Sequence, residues 1–127
     1  MYIINAPLKL PTTKTKWFYV SLNPFRNAHY FTLNKMKRYY KILLNSQIKE
    51  LPKFDKVRIT YTLFPKTKRL CDLMNQVCIQ SKFFEDALVE ADKIKDDNYL
   101  YIPEINIRFG KVDKYNPRVQ IVIEEIE

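Results

Sequence analysis

Two long segments of the chain carry hydrophobic residues at the three-or-four-residue spacing that predicts amphipathic helices. The first covers about residues 33–51, with Thr32 and Asn34 as candidate N-caps. The second covers about residues 73–91 and has Asp72 as its N-cap. The predicted apolar stripe of the first helix is Met36, Tyr40, Leu43, Leu44, Ile48 and Leu51, and that of the second is Leu73, Val77, Phe84, Ala87, Leu88 and Ala91.

Four further segments are typical of strands, at residues 16–22, 57–63, 99–109 and 118–126. Segment 57–63, Val-Arg-Ile-Thr-Tyr-Thr-Leu, alternates apolar and polar residues, which predicts a strand with one buried face. Residues 110–117 form a predicted loop, and the rest of the first 30 residues is turn-rich. The sum predicts an α/β (α+β) fold for residues 1–127 as one domain, a small mixed sheet packed with two main helices.

Composition excludes several classes of protein. The 127 residues include one glycine, Gly110, and one histidine, His29. Loops that cradle phosphates need several glycines, so we expect no nucleotide cofactor. One histidine excludes multi-histidine metal sites and most hydrolytic triads. Because no apolar run approaches about 18 residues, we expect a soluble, intracellular protein without a membrane partner.

Charge is distributed unevenly along the chain. Residues 1–70 hold 15 basic and 2 acidic side chains, a formal charge of +13. Residues 71–127 hold 7 basic and 12 acidic side chains, a formal charge of −5. This asymmetry suggests either a polyanion-binding surface beside a metal-binding cluster or ordinary surface composition.

The acidic candidates are Asp72, Asp86 and the pair Asp96 and Asp97, with Lys82 as a neighbouring cation. Clustered carboxylates bind hard divalent cations such as Mg²⁺, which promote phosphodiester hydrolysis. Fourteen residues at the helical rise separate Asp72 from Asp86 by about 21 Å, so these two cannot share one metal. Structural alternatives stand beside each candidate: a helix cap for Asp72, a solvated turn for Asp96 and Asp97, and an exposed helix pair for Lys82 and Asp86.

Several short motifs occur in a recognisable order. In the second half these are Lys68-Arg69, Asp72-Leu-Met-Asn75, Lys82-Phe-Phe-Glu-Asp86-Ala-Leu-Val-Glu90, Ile94-Lys-Asp-Asp97-Asn-Tyr and Asn116-Pro-Arg-Val-Gln-Ile121. In the first half they are Pro24-Phe-Arg-Asn27, His29-Tyr30 and Asn34-Lys35. This arrangement resembles the RusA-like Holliday-junction resolvases, small endonucleases of phages and prophages.

The resemblance implies a homodimer that binds four-way DNA junctions in recombination and replication and nicks opposed strands with Mg²⁺ or Mn²⁺. It implies that Asp72, Asp96 and Asp97 ligate the metal, that Lys82 stabilises transition-state charge and that Asp86 positions Lys82. It also implies action in the cytoplasm of a bacterial host. Met74 occupies the second acidic position of the family motif. The position before Lys82, where the resemblance would allow a compensating aspartate, holds Ser81. The set of acids is therefore one short.

Two non-enzymatic alternatives stand beside the enzyme. One is a protein of the same fold that binds DNA, or a protein partner, without cutting; the other acts only through protein contacts. DNA contacts are expected chiefly from the first half and its basic residues, and from the motif asparagine: Lys14, Lys16, Arg26, Lys35, Lys37, Arg38, Lys66, Lys68, Arg69 and Asn75. Phe25, Tyr30 and Tyr39 are candidates either for stacking at an opened junction or for the core or dimer interface.

Overall fold

A four-stranded mixed sheet and a separate two-stranded sheet combine with three helices in the computed structural model, which describes residues 1–127. The elements in chain order are β1 (Tyr2–Ala6), β2 (Lys9–Pro11), β3 (Trp17–Tyr19), α1 (Leu22–Asn27), α2 (Tyr30–Ile48), β4 (Val57–Phe64), α3 (Leu73–Glu90), β5 (Glu104–Phe109) and β6 (Arg118–Glu125). The predicted α+β fold class, with two main helices, is confirmed.

The larger sheet has the order β1-β6-β4-β5. Strand β4 pairs antiparallel with β6 and parallel with β5, and α3 forms the crossover between β4 and β5. Ile4, Ile121 and Tyr61 are register neighbours on one face of the sheet, and all three are buried. The Tyr61 ring meets Phe84 of α3 edge to face, with centroids 6.4 Å apart, so α3 packs on this face.

Strand β4 differs from its prediction in how it is buried. Its alternation predicts one buried face, yet Thr60 and Thr62 on the other face are only 9% and 4% exposed. The cause is its central position, since β5 and β6 flank it on both sides. From the neighbouring strand Arg108 donates a hydrogen bond through Nε to Thr62 Oγ1 at 3.1 Å, which covers this threonine. Threonine suits such a site because it is β-branched and its hydroxyl can be satisfied locally.

Helix α2 begins three residues earlier than predicted. Its N-cap is His29, whose Nδ1 accepts a hydrogen bond from the Phe31 N–H at 3.3 Å, and not Thr32 or Asn34. The buried stripe is Met36, Tyr40, Leu44 and Ile48, as predicted, whereas Leu43 is 45% exposed. Neither α2 nor any other helix is both long enough and apolar enough to cross a membrane.

The N-terminal region contains elements that its turn-rich sequence does not predict. Strands β1 and β2 and helix α1 are additional, and the predicted strand over 16–22 shortens to β3. Strand β1 exists because it pairs with β6, 113 or more residues away in the chain, a contact that local pattern does not reveal. Pro24 is compatible with α1 because it lies in the first turn of that helix, where no intrahelical N–H bond is required.

The predicted strand over 99–109 is a strand only in its second half. The Asn98 carbonyl accepts hydrogen bonds from the N–H groups of Tyr101 and Ile102, at 3.1 and 2.9 Å, which makes residues 99–101 a turn. Pairing with β4 starts at Glu104, immediately after Pro103. The turn brings buried Ile102 into the core and so fixes where β5 begins.

Candidate functional site

Asp72 lies at the beginning of α3 and acts as its N-cap. Its Oδ1 accepts hydrogen bonds from the N–H groups of Met74 and Asn75, at 3.0 and 3.4 Å. The helix continues from Leu73 to Glu90 without interruption, so Asp72 and Asp86 are separated by about 21 Å along its axis. The cap satisfies N–H groups that would otherwise lack partners, which explains an aspartate at this position without a metal.

The acidic turn after α3 is tied to the body of the protein at both ends. Ile94 and Ile102 are buried, at 3% and 5% exposure, and Lys93 donates through Nζ to the Leu51 carbonyl at 2.7 Å. Between them, Asp96 accepts hydrogen bonds from the Asp97 N–H at 2.8 Å and from Asn98 Nδ2 at 3.0 Å. Both carboxylate oxygens of Asp96 therefore stabilise the turn, whereas the Asp97 carboxylate takes part in neither of these hydrogen bonds.

The turn places Asp97 within range of the charges in the C-terminal half of α3. The pKa of Asp97 is raised by partial burial, then by the side chain of Asp96 and by the negative charge of Asp86. The pKa of Glu85 in α3 is in turn raised by the negative charges of Asp97 and Asp86 and lowered by the positive charge of Lys82. We call Glu85, Asp86, Asp96 and Asp97 the acidic cluster. Asp72, at the other end of α3, does not contribute to these shifts.

Glu85 is the functional candidate that sequence reasoning missed. It is only 8% exposed, and its Oε2 accepts a hydrogen bond from the Tyr61 hydroxyl at 2.8 Å. Burial raises its pKa to about 7, the charges of Asp97 and Asp86 add to this effect, and the Tyr61 hydrogen bond and Lys82 oppose it. A signal was present: Glu85 lies three residues before Leu88, on the same side of the helix as the predicted apolar face.

Asp86 forms a different ion pair from the one predicted. Its partner is Lys37 of α2, with Nζ and Oδ2 3.9 Å apart, and no ion pair joins it to Lys82. One turn further along, Lys41 and Glu90 pair in the same way between the two helices. Lys82 is exposed beside the acidic cluster, so its ammonium group is free to meet an anion from solvent.

The acidic cluster has the donor chemistry of a hard-cation site without forming a closed one. No group of three or more histidine, cysteine, aspartate or glutamate side chains is arranged to hold a metal ion, and Asp72, Asp96 and Asp97 do not meet. The pKa values of Glu85 and Asp97 are nevertheless raised, chiefly by burial and further by nearby negative charges, and a divalent cation close by would offset those charges. Mg²⁺ binds through one or two carboxylates and several waters, so the candidate ligands are Asp97 and either Asp86 or Glu85.

The predicted DNA-binding residues lie on four parts of the chain. Lys14 and Lys16 occupy the β2–β3 connection, and Arg26 lies in the last turn of α1. Lys35, Lys37 and Arg38 belong to α2, where Lys37 is engaged with Asp86. The remaining three, Lys66, Lys68 and Arg69, lie in the exposed loop between β4 and α3, next to Asn75 in the first turn of α3; we call these three the basic loop.

The three candidate aromatic residues fall into different environments. Phe25 is half-buried and contacts the buried Phe83 ring, with centroids 6.3 Å apart, so it belongs to the core. Tyr30 is 59% exposed and stacks with His29 and Phe31 at the beginning of α2. Tyr39 is 36% exposed. Exposed Tyr30 and Phe31 are available for stacking, whereas Phe25 is not.

Neither a scan against protein-family models nor a search of curated proteins finds a match for this chain.

A stability measurement tests the environment of Glu85. Because its pKa in the folded protein is about 7 and lies above the usual 4.5, the protonated form is favoured by folding, and stability should fall as pH rises from about 5 to 8. Glu85→Gln keeps an acceptor for Tyr61 and cannot ionise. We expect this variant to be about 2 kcal/mol more stable than the wild type at pH 8, less than the full shift would imply because the carboxyl is not fully desolvated.

Urea denaturation in EDTA at pH 5, 6, 7 and 8 measures this effect. The control is Glu125→Gln, which neutralises an exposed glutamate at the end of β6 and should keep the wild-type pH profile. If the stability of Glu85→Gln depended on pH in the same way as that of the wild type, Glu85 would not be the group whose raised pKa lowers stability above pH 5.

Proposed function

We propose that this chain is a RusA-like, metal-dependent endodeoxyribonuclease that binds and nicks four-way DNA junctions. One observation carries the proposal: the charges of Asp97, Asp86 and the exposed Lys82 all act on the buried Glu85 in the C-terminal half of α3. Carboxylates next to a free ammonium group suit a reaction in which a cation and a phosphodiester must be held together.

In this proposal Asp97, with Asp86 or Glu85, holds Mg²⁺ or Mn²⁺, and Asp72 remains a helix cap. The cation, when bound, polarises a phosphodiester and lowers the pKa of water. Lys82 contacts the phosphate and offsets charge that develops on its oxygens. The Tyr61 hydroxyl orients the Glu85 carboxylate through its hydrogen bond, and the Asp96 carboxylate holds the turn that carries Asp97.

The basic loop and the acidic cluster are arranged along the same helix. The loop precedes the first turn of α3, and the cluster lies about 20 Å further along, around its C-terminal half. A DNA arm bound by Lys66, Lys68 and Arg69 would follow α3 and place a phosphate about four base pairs away beside Lys82, which lies about 15 Å along the helix from Asp72, given the 3.4 Å rise per base pair along one strand. In this arrangement the basic loop, which would bind DNA, and the acidic cluster, which would hold the cation, lie at different positions along α3.

The direct test is cleavage of a synthetic four-way junction with Mg²⁺ or Mn²⁺. We expect nicks in the junction and none in a linear duplex that contains the same arm sequences, and EDTA should abolish cleavage. Selective binding of the junction without metal-dependent nicking would overturn the nuclease and support a non-cutting protein of the same fold. The absence of a closed group of three metal ligands is the observation that favours this second candidate.

Salt dependence tests the role of the basic loop. Changing Lys66, Lys68 and Arg69 together to alanine should reduce the slope of log affinity against log salt by about 3, because each phosphate contact contributes about 0.9. The matched control removes three positive charges at the opposite end of β4, with Lys49, Lys53 and Lys56 changed to alanine. Fluorescence anisotropy with a labelled junction measures both slopes, and equal slopes for the two variants would exclude the loop as the main DNA contact.

A further inference from the structure

Two loops meet at the end of the larger sheet where β4 and β5 finish and β6 begins. Residues 110–117, which we call the β5–β6 loop, are joined by two hydrogen bonds to the segment that leads into the basic loop. The Gly110 N–H donates to the Leu63 carbonyl at 2.9 Å, and the Asp113 N–H donates to the Pro65 carbonyl at 2.8 Å. The β5–β6 loop therefore lies next to the basic loop, although α3 and β5 separate the two in the chain.

Asp113 fixes the conformation of the β5–β6 loop. Its Oδ1 accepts a hydrogen bond from the Asn116 N–H at 3.1 Å, and its Oδ2 accepts one from Arg118 Nη1 at 2.9 Å. The guanidinium carbon of Arg118 lies 4.1 Å from the centroid of the Phe64 ring, which holds this arginine against β4. Tyr115, at the tip of the loop, is thereby presented from a braced turn, so little conformational entropy remains to be lost when a ligand binds it.

The joined loops carry positive charge without local compensation. The basic segment at 65–71 contains no acidic residue, and the only acid within 110–117 is Asp113, which pairs with Arg118. The basic side chains of the two loops form no ion pair in the structure: Lys66, Lys68, Arg69, Lys111 and Lys114. Such a concentration of uncompensated cations is complementary to a polyanion.

An aromatic ring stands among these cations. Tyr115 is 91% exposed, and its ring is approached by Lys114 Nζ, 5.7 Å from the centroid. Exposed lysines beside an open aromatic face are the combination that holds single-stranded nucleic acid, because bases stack on the ring and the cations contact the phosphates. A membrane surface is the less suitable partner, since Leu70 is the one exposed aliphatic side chain that these loops add to Tyr115.

We propose that the β5–β6 loop binds an unpaired nucleotide, whose base stacks on Tyr115 while the neighbouring phosphates contact Lys111, Lys114 and the basic loop. In an intact duplex the faces of the bases are covered by their neighbours, so the ring reaches a base where strands are open. The site deepens the proposed function by naming the unpaired part of branched DNA as what this end of the sheet recognises. That link rests on the proposed function, whereas binding of a single strand requires neither the acidic cluster nor a metal.

Fluorescence anisotropy with a labelled single-stranded oligonucleotide in EDTA tests the stacking. Tyr115→Ala should weaken binding at least about fivefold, and Tyr115→Phe, which keeps the ring, should bind like the wild type. The matched control is Tyr99→Ala, because Tyr99 is also exposed, at 78%, but lies in the acidic turn at the opposite end of β5. For a duplex of the same length, Tyr115→Ala should retain wild-type affinity. Unchanged single-strand affinity in Tyr115→Ala, or equal weakening for single strand and duplex, would overturn the stacking site.

The phosphate contacts are tested by the salt dependence of the same binding. Changing Lys111 and Lys114 together to alanine should reduce the slope of log affinity against log salt by about 1.4, because each contact to a single strand contributes about 0.7. The control changes Lys49 and Lys56 to alanine, which removes two charges at the opposite end of β4. Equal slopes for the two double variants would overturn these contacts, as would binding of phosphatidylserine vesicles without binding of the oligonucleotide.

The same variants separate this inference from the nuclease. Metal-dependent nicking of a junction by a protein whose single-strand affinity is unaffected by Tyr115→Ala would overturn the nucleotide site and leave the nuclease in place. Single-strand binding that depends on Tyr115, without nicking of the junction, would support the nucleotide site and overturn the nuclease.

Discussion

Asp97→Asn is expected to reduce metal-dependent nicking of a four-way junction by at least about 100-fold, since a catalytic metal contributes several kcal/mol to transition-state stabilisation. Asparagine keeps the size of the side chain and removes its charge. The variant should remain folded, because ionised Asp97 is disfavoured by partial burial and by the neighbouring Asp96 and Asp86. Loss of cleavage with an unchanged or raised melting temperature is the expected combination.

The control for this prediction is Asp92→Asn in the same post-helix region. Asp92 is exposed and pairs with Lys53 at 2.7 Å, and its φ of 59° is one that asparagine readily adopts. The Asp92→Asn variant should cleave the junction at the wild-type rate. Junction binding by all three proteins should be similar, because affinity arises chiefly from the basic residues. Cleavage by Asp97→Asn equal to that of the wild type would exclude the acidic cluster as the site of chemistry.

Phe83→Ala should destabilise the protein by about 4 kcal/mol, because it leaves a cavity where three helices meet. Phe83 is 1% exposed, and its ring contacts Phe25 of α1 and Tyr40 of α2, with centroids 6.3 and 5.5 Å apart. The loss is a large part of the roughly 5–15 kcal/mol that stabilises a typical protein. It should also loosen the position of Lys82 and Glu85 on either side of Phe83 in sequence.

Urea denaturation at pH 7 measures this loss, with Phe31→Ala as the matched control. Phe31 is 66% exposed and stacks only on its neighbours at the beginning of α2, so its removal should change stability by less than about 0.5 kcal/mol. Equal losses for the two variants would show that the junction of the three helices does not stabilise the fold.

The elements with regular periodicity were predictable because each buries one repeating set of residues. Helix α3 begins at Leu73 after its Asp72 cap, as predicted, and ends within one residue of the predicted position. Strands β4 and β6 also agree with the alternating segments within one residue at each end. For the predicted site, sequence reasoning identified the two parts, the α3 residues Lys82 and Asp86 and the turn residues Asp96 and Asp97.

Two of the parts that failed depend on partners distant in the chain, and one depends on a local but unusual cap. Strand β1 is too short to be predicted without β6, and α2 uses the Nδ1 of His29 as a cap in preference to the usual cap residues. Asp86 pairs with Lys37 because α2 and α3 lie side by side, although Lys82 is one turn away on its own helix.

The sequence by itself determined the fold class, the α3 helix with its Asp72 cap, and the concentration of positive charge in the first half, because these depend on residue type and local spacing. Only the tertiary structure decided that Glu85 is buried against Tyr61, that Asp97 lies within range of the charges in the C-terminal half of α3 and that the β5 edge is left open. The physical reason is that burial and charge interactions depend on distances through space, which the packing of α3 on the sheet establishes.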